Sequence, residues 1–136
     1  LLVEEKMKKL FFASVVLACG ISTSYADFSS PSGNIVCGAS GNGVLCHIGE
    51  ADNLKPLRPI PKNCPTDWEN WFYIGRSGSA NHVCKGDWDF GNPTPLNFGS
   101  STTINGITCT SQPTGMTCKN KQGHGFSVGK RNQKFF

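Results

Sequence analysis

Cysteines, histidines and one pair of aspartates are the residues of this chain whose types and spacing bear most directly on chemistry. Six cysteines, Cys37, Cys46, Cys64, Cys84, Cys109 and Cys118, follow an export-like beginning that holds a seventh, Cys19. Structural zinc sites favour short Cys-x-x-Cys clips, and no such clip occurs. His47, His82 and His124 are far apart and lack the i, i+4 pairing of a helical metal site, so no metal and no cofactor is expected. Asp87 and Asp89 alternate, with His82 nearby, as an acid–base pair would on one face of a strand. No nucleophile motif accompanies them, and Lys85-Gly86-Asp87 reads as a turn, so an enzyme is not expected. Trp68, Trp71, Tyr73 and Trp88, with Asp67, Asp87 or Asn70 close by, have the chemistry to stack on sugar faces and contact hydroxyls. Large rings dominate small cores, however, and the core reading of these aromatics is preferred.

An even cysteine count in a short exported chain reads as three disulfides, although six cysteines allow fifteen connectivities. Two spacings are equal, and their contexts match: "NIVCGASGNGVLC" beside "GITCTSQPTGMTC". This is an internal repeat of one hairpin unit. Residues face each other across an antiparallel hairpin only when the intervening number is even, because side chains alternate along each strand. Eight intervening residues satisfy that condition and pair Cys37 with Cys46 and Cys109 with Cys118, leaving Cys64 for Cys84. Gly41-Asn42 suits a two-residue type II′ turn. Pro113 excludes that turn from the second unit, where a four-residue loop, Gln112 to Gly115, is expected. Ile107, Cys109, Met116 and Cys118 then point inward, and Thr108, Thr110, Thr117 and Lys119 outward. In the first hairpin Ile35, Val44 and Ile48 join the cysteines, while Val36, Leu45 and His47 on the other face predict cover on both sides.

These hairpins need a compartment that permits disulfides. From Met7 the chain shows Lys8 and Lys9, an apolar run from Leu10 to Ala18, and small residues ending at Ala26. That is the layout of a secretory signal over residues 7–26, with cleavage expected after Ala26. The apolar run is too short for the roughly 20 residues of a membrane span, so the mature chain is expected to have none. Residues 1–6, with two acidic side chains before the basic start, read as an upstream extension outside the translated product. Val16-Leu17-Ala18-Cys19 offers a competing reading as a lipobox, which would make Cys19 the lipidated first residue of an envelope lipoprotein. The mature stretch 27–136 is one domain by length, and after Asp89 it holds Lys119, Lys121, Lys130, Arg131 and Lys134 with no acidic side chain. Such a basic end suits anionic lipid, polysaccharide or an acidic partner, or simply a solubilising surface.

Between the hairpins, Pro56, Pro59, Pro61 and Pro65 read as a stiff connection tied down at Cys64. Thr66-x-x-Glu69 could cap one helical turn. "WFYIGRS" and "NHVCKGDWDF" read as strands, and "HGFSVGK" as a short last strand with Phe126 and Val128 on one face. Abundant glycine and proline leave little room for a long helix. The expected fold is all-β, a small antiparallel roll or sandwich with two disulfide-stapled hairpins.

The blocks "FSSPSGNIVC", "HVCKGDW", "GITCTSQPTGMTC" and "GHGFSVGK" resemble, in the same order, those of a bacterial secreted domain family of unknown function. The resemblance spans nearly all of Phe28 to Lys130, and implies export and the six-cysteine framework without an activity. On these grounds the expected function is an exported binding or inhibitor-like module, secreted or periplasmic, that engages a protein in the envelope or outside the cell. The alternative is a glycan or cell-wall binder that uses the aromatics above. Nucleic acid is not an expected partner, given export and the modest charge.

Overall fold

The computed structural model describes residues 27–64, 68–84 and 89–136. The signal, Cys19, the cap at Thr66, and Asp67, Asp87 and Trp88 lie outside the described residues. Among these described residues, ten strands form two five-stranded sheets. The first sheet holds β1 (Phe28–Ser29), β2 (Ile35–Ser40), β3 (Gly43–Ile48), β4 (Trp71–Ile74) and β5 (Thr94–Pro95), in the order β4-β3-β2-β1-β5. The second holds β6 (Ser101–Ile104), β7 (Ile107–Gln112), β8 (Gly115–Lys119), β9 (Gly125–Val128) and β10 (Gln133–Phe135), in sequence order. A 3-10 turn, Trp68–Asn70, precedes β4.

Both repeat units are hairpins in the register that parity requires. Cys37 faces Cys46 and Cys109 faces Cys118, and each pair is disulfide-bonded with Cα atoms 4.1 and 4.0 Å apart. Cys64 is bonded to Cys84. In the first hairpin Gly41 takes φ 57° and Asn42 stays at negative φ, as a type II′ turn demands. The second hairpin is tighter than the expected four-residue loop, because Gln112 and Gly115 pair directly and only Pro113-Thr114 turns. Proline is excluded from primed turns but favoured at the second position of a type I turn, with glycine at the fourth. Gly115, at φ 139°, occupies that fourth position. A Cβ on Gly115 would run into the Val128 carbonyl, and one on Gly129 into the Thr114 carbonyl. The turn and the end of β9 therefore meet backbone to backbone.

Other local expectations are corrected. Among the described residues of "NHVCKGDWDF" only Asn81 makes a β-bridge, to Tyr73, because the disulfide and the side chain of His82 hold the rest in a loop. "HGFSVGK" is not last, since β10 pairs with β9 and carries Phe135 inward. The sheets are not wholly antiparallel, because β1 runs parallel to β5. Asn105-Gly106, both at positive φ, join β6 to β7 in the Asn-Gly turn typical of a hairpin, a signal present in the sequence. The Asn105 side-chain amide donates to the carbonyls of Gly41 and Gly43, 3.3 and 3.1 Å away, and so ties this turn to the first hairpin.

The core lies between the sheets. Ile35, Val44, Ile48, Phe72 and Ile74 meet Ile107, Met116, Phe126 and Val128, all buried. The two hairpin disulfides touch there, with Cys46 Sγ 3.9 Å from Cys118 Sγ. Both sulfurs are oxidised and carry no proton, so this is a packing contact. Leu45, on the other face of the first sheet, is also fully buried, as two-sided cover requires.

"FSSPSGNIVC" builds the entry to this core. Phe28 is buried, Ser30 Oγ accepts from Ile35 N–H at 3.0 Å, and Asn34 clamps Glu50 by accepting from its N–H and donating to its carbonyl. Ser111 is the misfit among the described residues: its hydroxyl is buried on the inner face of β7 with no hydrogen-bond partner. Removing an orphaned hydroxyl returns part of its desolvation cost. Ser111→Ala is expected to raise stability by up to about 1 kcal/mol, read from the denaturant midpoint. A loss of stability would mean that the hydroxyl has a partner.

Candidate binding site

The aromatics considered for sugar stacking are brought together, but inward. Trp68 and Trp71 are each only 6% exposed. Trp68 donates Nε1–H to the Arg58 carbonyl and tilts against His82. Trp71 stacks on Phe90 and tilts against His47, covering the outer face of the first sheet. Tyr73 is half-buried, with its hydroxyl near Ser40 and Asn42 at the hairpin turn. No open platform of rings results from these three.

His82 and Asp89 are not brought together. His82 is buried, Nδ1 lies 2.9 Å from the Trp71 carbonyl and Nε2 accepts from Leu57 N–H at 3.0 Å. Both ring nitrogens are thus satisfied in the neutral, Nδ1-protonated form. Trp68, Phe72 and Phe135 surround the ring, and Arg58 lies over Phe135. Burial pushes the imidazole below its usual range, and nearby Arg58 adds to this against the opposing Trp71 carbonyl and Glu69. The unfolded chain then binds a proton more readily than the folded one, so stability is present above about pH 6.5 and falls as pH drops toward the folded value. Thermal melts between pH 7.5 and 5 are expected to show a decline of at most about 1.4 kcal/mol per pH unit from this group. A variant His82→Gln should flatten that slope. An unchanged slope in the variant would place the pH dependence elsewhere.

Asp89 accepts from Gly91 N–H at 2.8 Å. Burial of Asp27, and after it the charge of Asp89, raise the pKa of Asp27, whose carboxylate lies against Gly38. The sulfurs of Cys37, Cys46 and Cys118 lie within 4.8 Å of one another, a spacing metal ligands share. Metals bind thiolates, and these sulfurs are tied up in disulfides, so the group serves packing.

Sequence reasoning missed the polar surface. On the outer face of the second sheet, strand pairing aligns Ser101, Thr110, Thr117, Ser127 and Lys134 in one row across all five strands. Neighbouring hydroxyls bond along it, Ser101 to Thr110 at 2.7 Å and Thr117 to Ser127 at 2.8 Å. A second row holds Thr103, Thr108 and Lys119. At strand spacing the first row is about 19 Å long. It ends at a hollow of about 600 Å³, whose lining includes Ser127, Lys130, Arg131 and Lys134 and, among the described residues, no acidic side chain. The loop that carries the cations is pinned: Gly129 N–H donates to the Asn132 carbonyl, Asp52 N–H to the Lys130 carbonyl, and the Gln133 amide to the Gly129 carbonyl. The outward threonines were legible from alternation, but their alignment with this hollow depends on β9, β10 and the loop between them.

A family model matches residues 10–136. The chain belongs to a family of unknown function, DUF6636. Neither the curated proteins nor the solved structures searched contain a match to this DUF6636 chain. The family therefore carries no residue roles over, and the DUF6636 surface is read from its own geometry.

Proposed function

We propose that this domain is an exported binding module, a stapled scaffold that works by presenting a surface and not by catalysis. The observation that carries this reading is the outer face of the second sheet: five strands wide, polar apart from exposed Phe136 opposite Gly125 among its described residues, and leading into a pinned cationic hollow. A scaffold held by disulfides loses little entropy on binding. Three disulfides fit an oxidising compartment, and among the described residues no helix is long and apolar enough to cross a membrane. Sugar binding through the aromatics loses support, since Trp68 and Trp71 are spent on packing. The buried, backbone-paired His82 likewise offers acid–base chemistry no open group.

Immobilised oxidised domain, challenged with envelope and extracellular fractions, is expected to retain a component saturably and to lose it after reduction. Recovery of no saturable component from any fraction would overturn the reading.

A further inference from the structure

Resting on the binding-module reading, we infer that the outer face of the second sheet, with the Lys130-Arg131-Lys134 hollow at its end, binds a linear acidic polysaccharide. Charge selects an anion. Lys130, Arg131 and Lys134 line one hollow, and Arg131 with Lys55 lines the next. Glu50 lines a separate groove, which Lys130 also borders. Guanidinium and ammonium groups fixed around one space suit carboxylate, sulfate or phosphate oxygens.

The row of hydroxyls selects the kind of polyanion. Ser101, Thr110, Thr117 and Ser127 both donate and accept, as sugar hydroxyls do, and the strip they form is about 14 Å long. Two other polyanions fit less well. An acidic protein partner would be anchored by a cluster of apolar or aromatic hot spots, and among its described side chains this face offers a single ring, Phe136, outside the lining of the hollow. Single-stranded nucleic acid needs a succession of aromatic platforms for its bases, and the one ring of Phe136 does not supply it.

The hollow is ready-made, because backbone hydrogen bonds hold its loop and the Thr114–Gly129 contact holds its wall. Lys134 sits opposite Ser127 in the strand register, so the row and the cations are continuous. A chain lying along the strip would place hydroxyls over β6 to β9 and an anionic group in the hollow.

The test is titration of the intact oxidised domain with oligouronate of about six residues, beside neutral dextran oligomers, polyglutamate and single-stranded DNA. Oligouronate is expected to bind, with affinity falling as salt rises, and neutral dextran is not. Lys130→Glu with Arg131→Glu should weaken oligouronate about tenfold or more. Thr110→Val with Thr117→Val should weaken oligouronate severalfold and leave polyglutamate unchanged. Melting temperatures of both variants should stay near wild type, since these side chains face outward. Equal binding of polyglutamate or DNA, together with silent threonine variants, would overturn the inference in favour of an acidic protein or a general polyanion. No binding of oligouronate overturns it outright. If the envelope capture still succeeds, the binding-module reading survives that failure; if capture fails as well, both fall.

Discussion

Replacing Cys37 and Cys46 together by alanine is expected to lower the unfolding free energy by about 2.5 kcal/mol. The chain-entropy argument gives this figure for a loop closed over a sequence separation of 9. Cys109 and Cys118 close an equal loop and predict an equal loss. Removing both bridges together is expected to cost less than the sum, by about 0.5–1 kcal/mol. The reason is the 3.9 Å contact between Cys46 Sγ and Cys118 Sγ: each single removal already forfeits that contact, so the sum counts it twice. Urea unfolding of the two single-bridge variants and of the double variant, without reductant, measures the coupling. Strict additivity would mean that the stacked bridges act only on the unfolded chain. With the Cys64–Cys84 bridge included, the three amount to about 8 kcal/mol at most, comparable to the whole stability of an ordinary domain. Reduction is therefore expected to abolish the near-UV circular dichroism cooperatively.

The second large effect is expected at Phe72. This residue is fully buried on β4, with ring centroids 5.8 Å from Phe126 of the opposite sheet, 5.1 Å from His82 and 6.1 Å from Phe135. It is the ring through which the two sheets and the loop around His82 share one core. Truncating such a residue loses its transfer free energy and leaves a cavity between two rigid sheets that cannot collapse onto it. Phe72→Ala should cost about 3–5 kcal/mol. For a domain of this size that is a fall in Tm of more than about 12 °C. Phe98, 56% exposed, is the control, and its replacement by alanine should change stability by no more than about 0.5 kcal/mol. Equal effects at the two positions would contradict the packing described.

The contrast between these phenylalanines shows where sequence reading reaches its limit. Alternation predicts that Phe126 and Val128 share a face, and it does so from neighbours two residues apart. It is silent on which of nine phenylalanines meets the opposite sheet. Trp71 shows the same limit from the other side. It lies on the outer face of β4, where alternation alone would expose it, yet the stacked ring of Phe90 and the tilted ring of His47 help to cover it. Neither contact is local in the chain, so the choice between sugar platform and packing was open until the fold was known.

By itself, the sequence determined the stapled hairpins, their faces and the all-β class, because an even gap between cysteines and a period of two are properties of a single strand pair. Tertiary structure alone decided what the hairpins meet. Two disulfides from different sheets come into contact, β1 turns out to pair in parallel with β5, and β10 extends the second sheet past the expected last strand. That added strand sets Lys134 beside Ser127 and brings a row of hydroxyls to a cationic hollow. Successive pairing of five strands makes that surface, and alternation within one strand, which marks the outward threonines, does not encode the registers that align them.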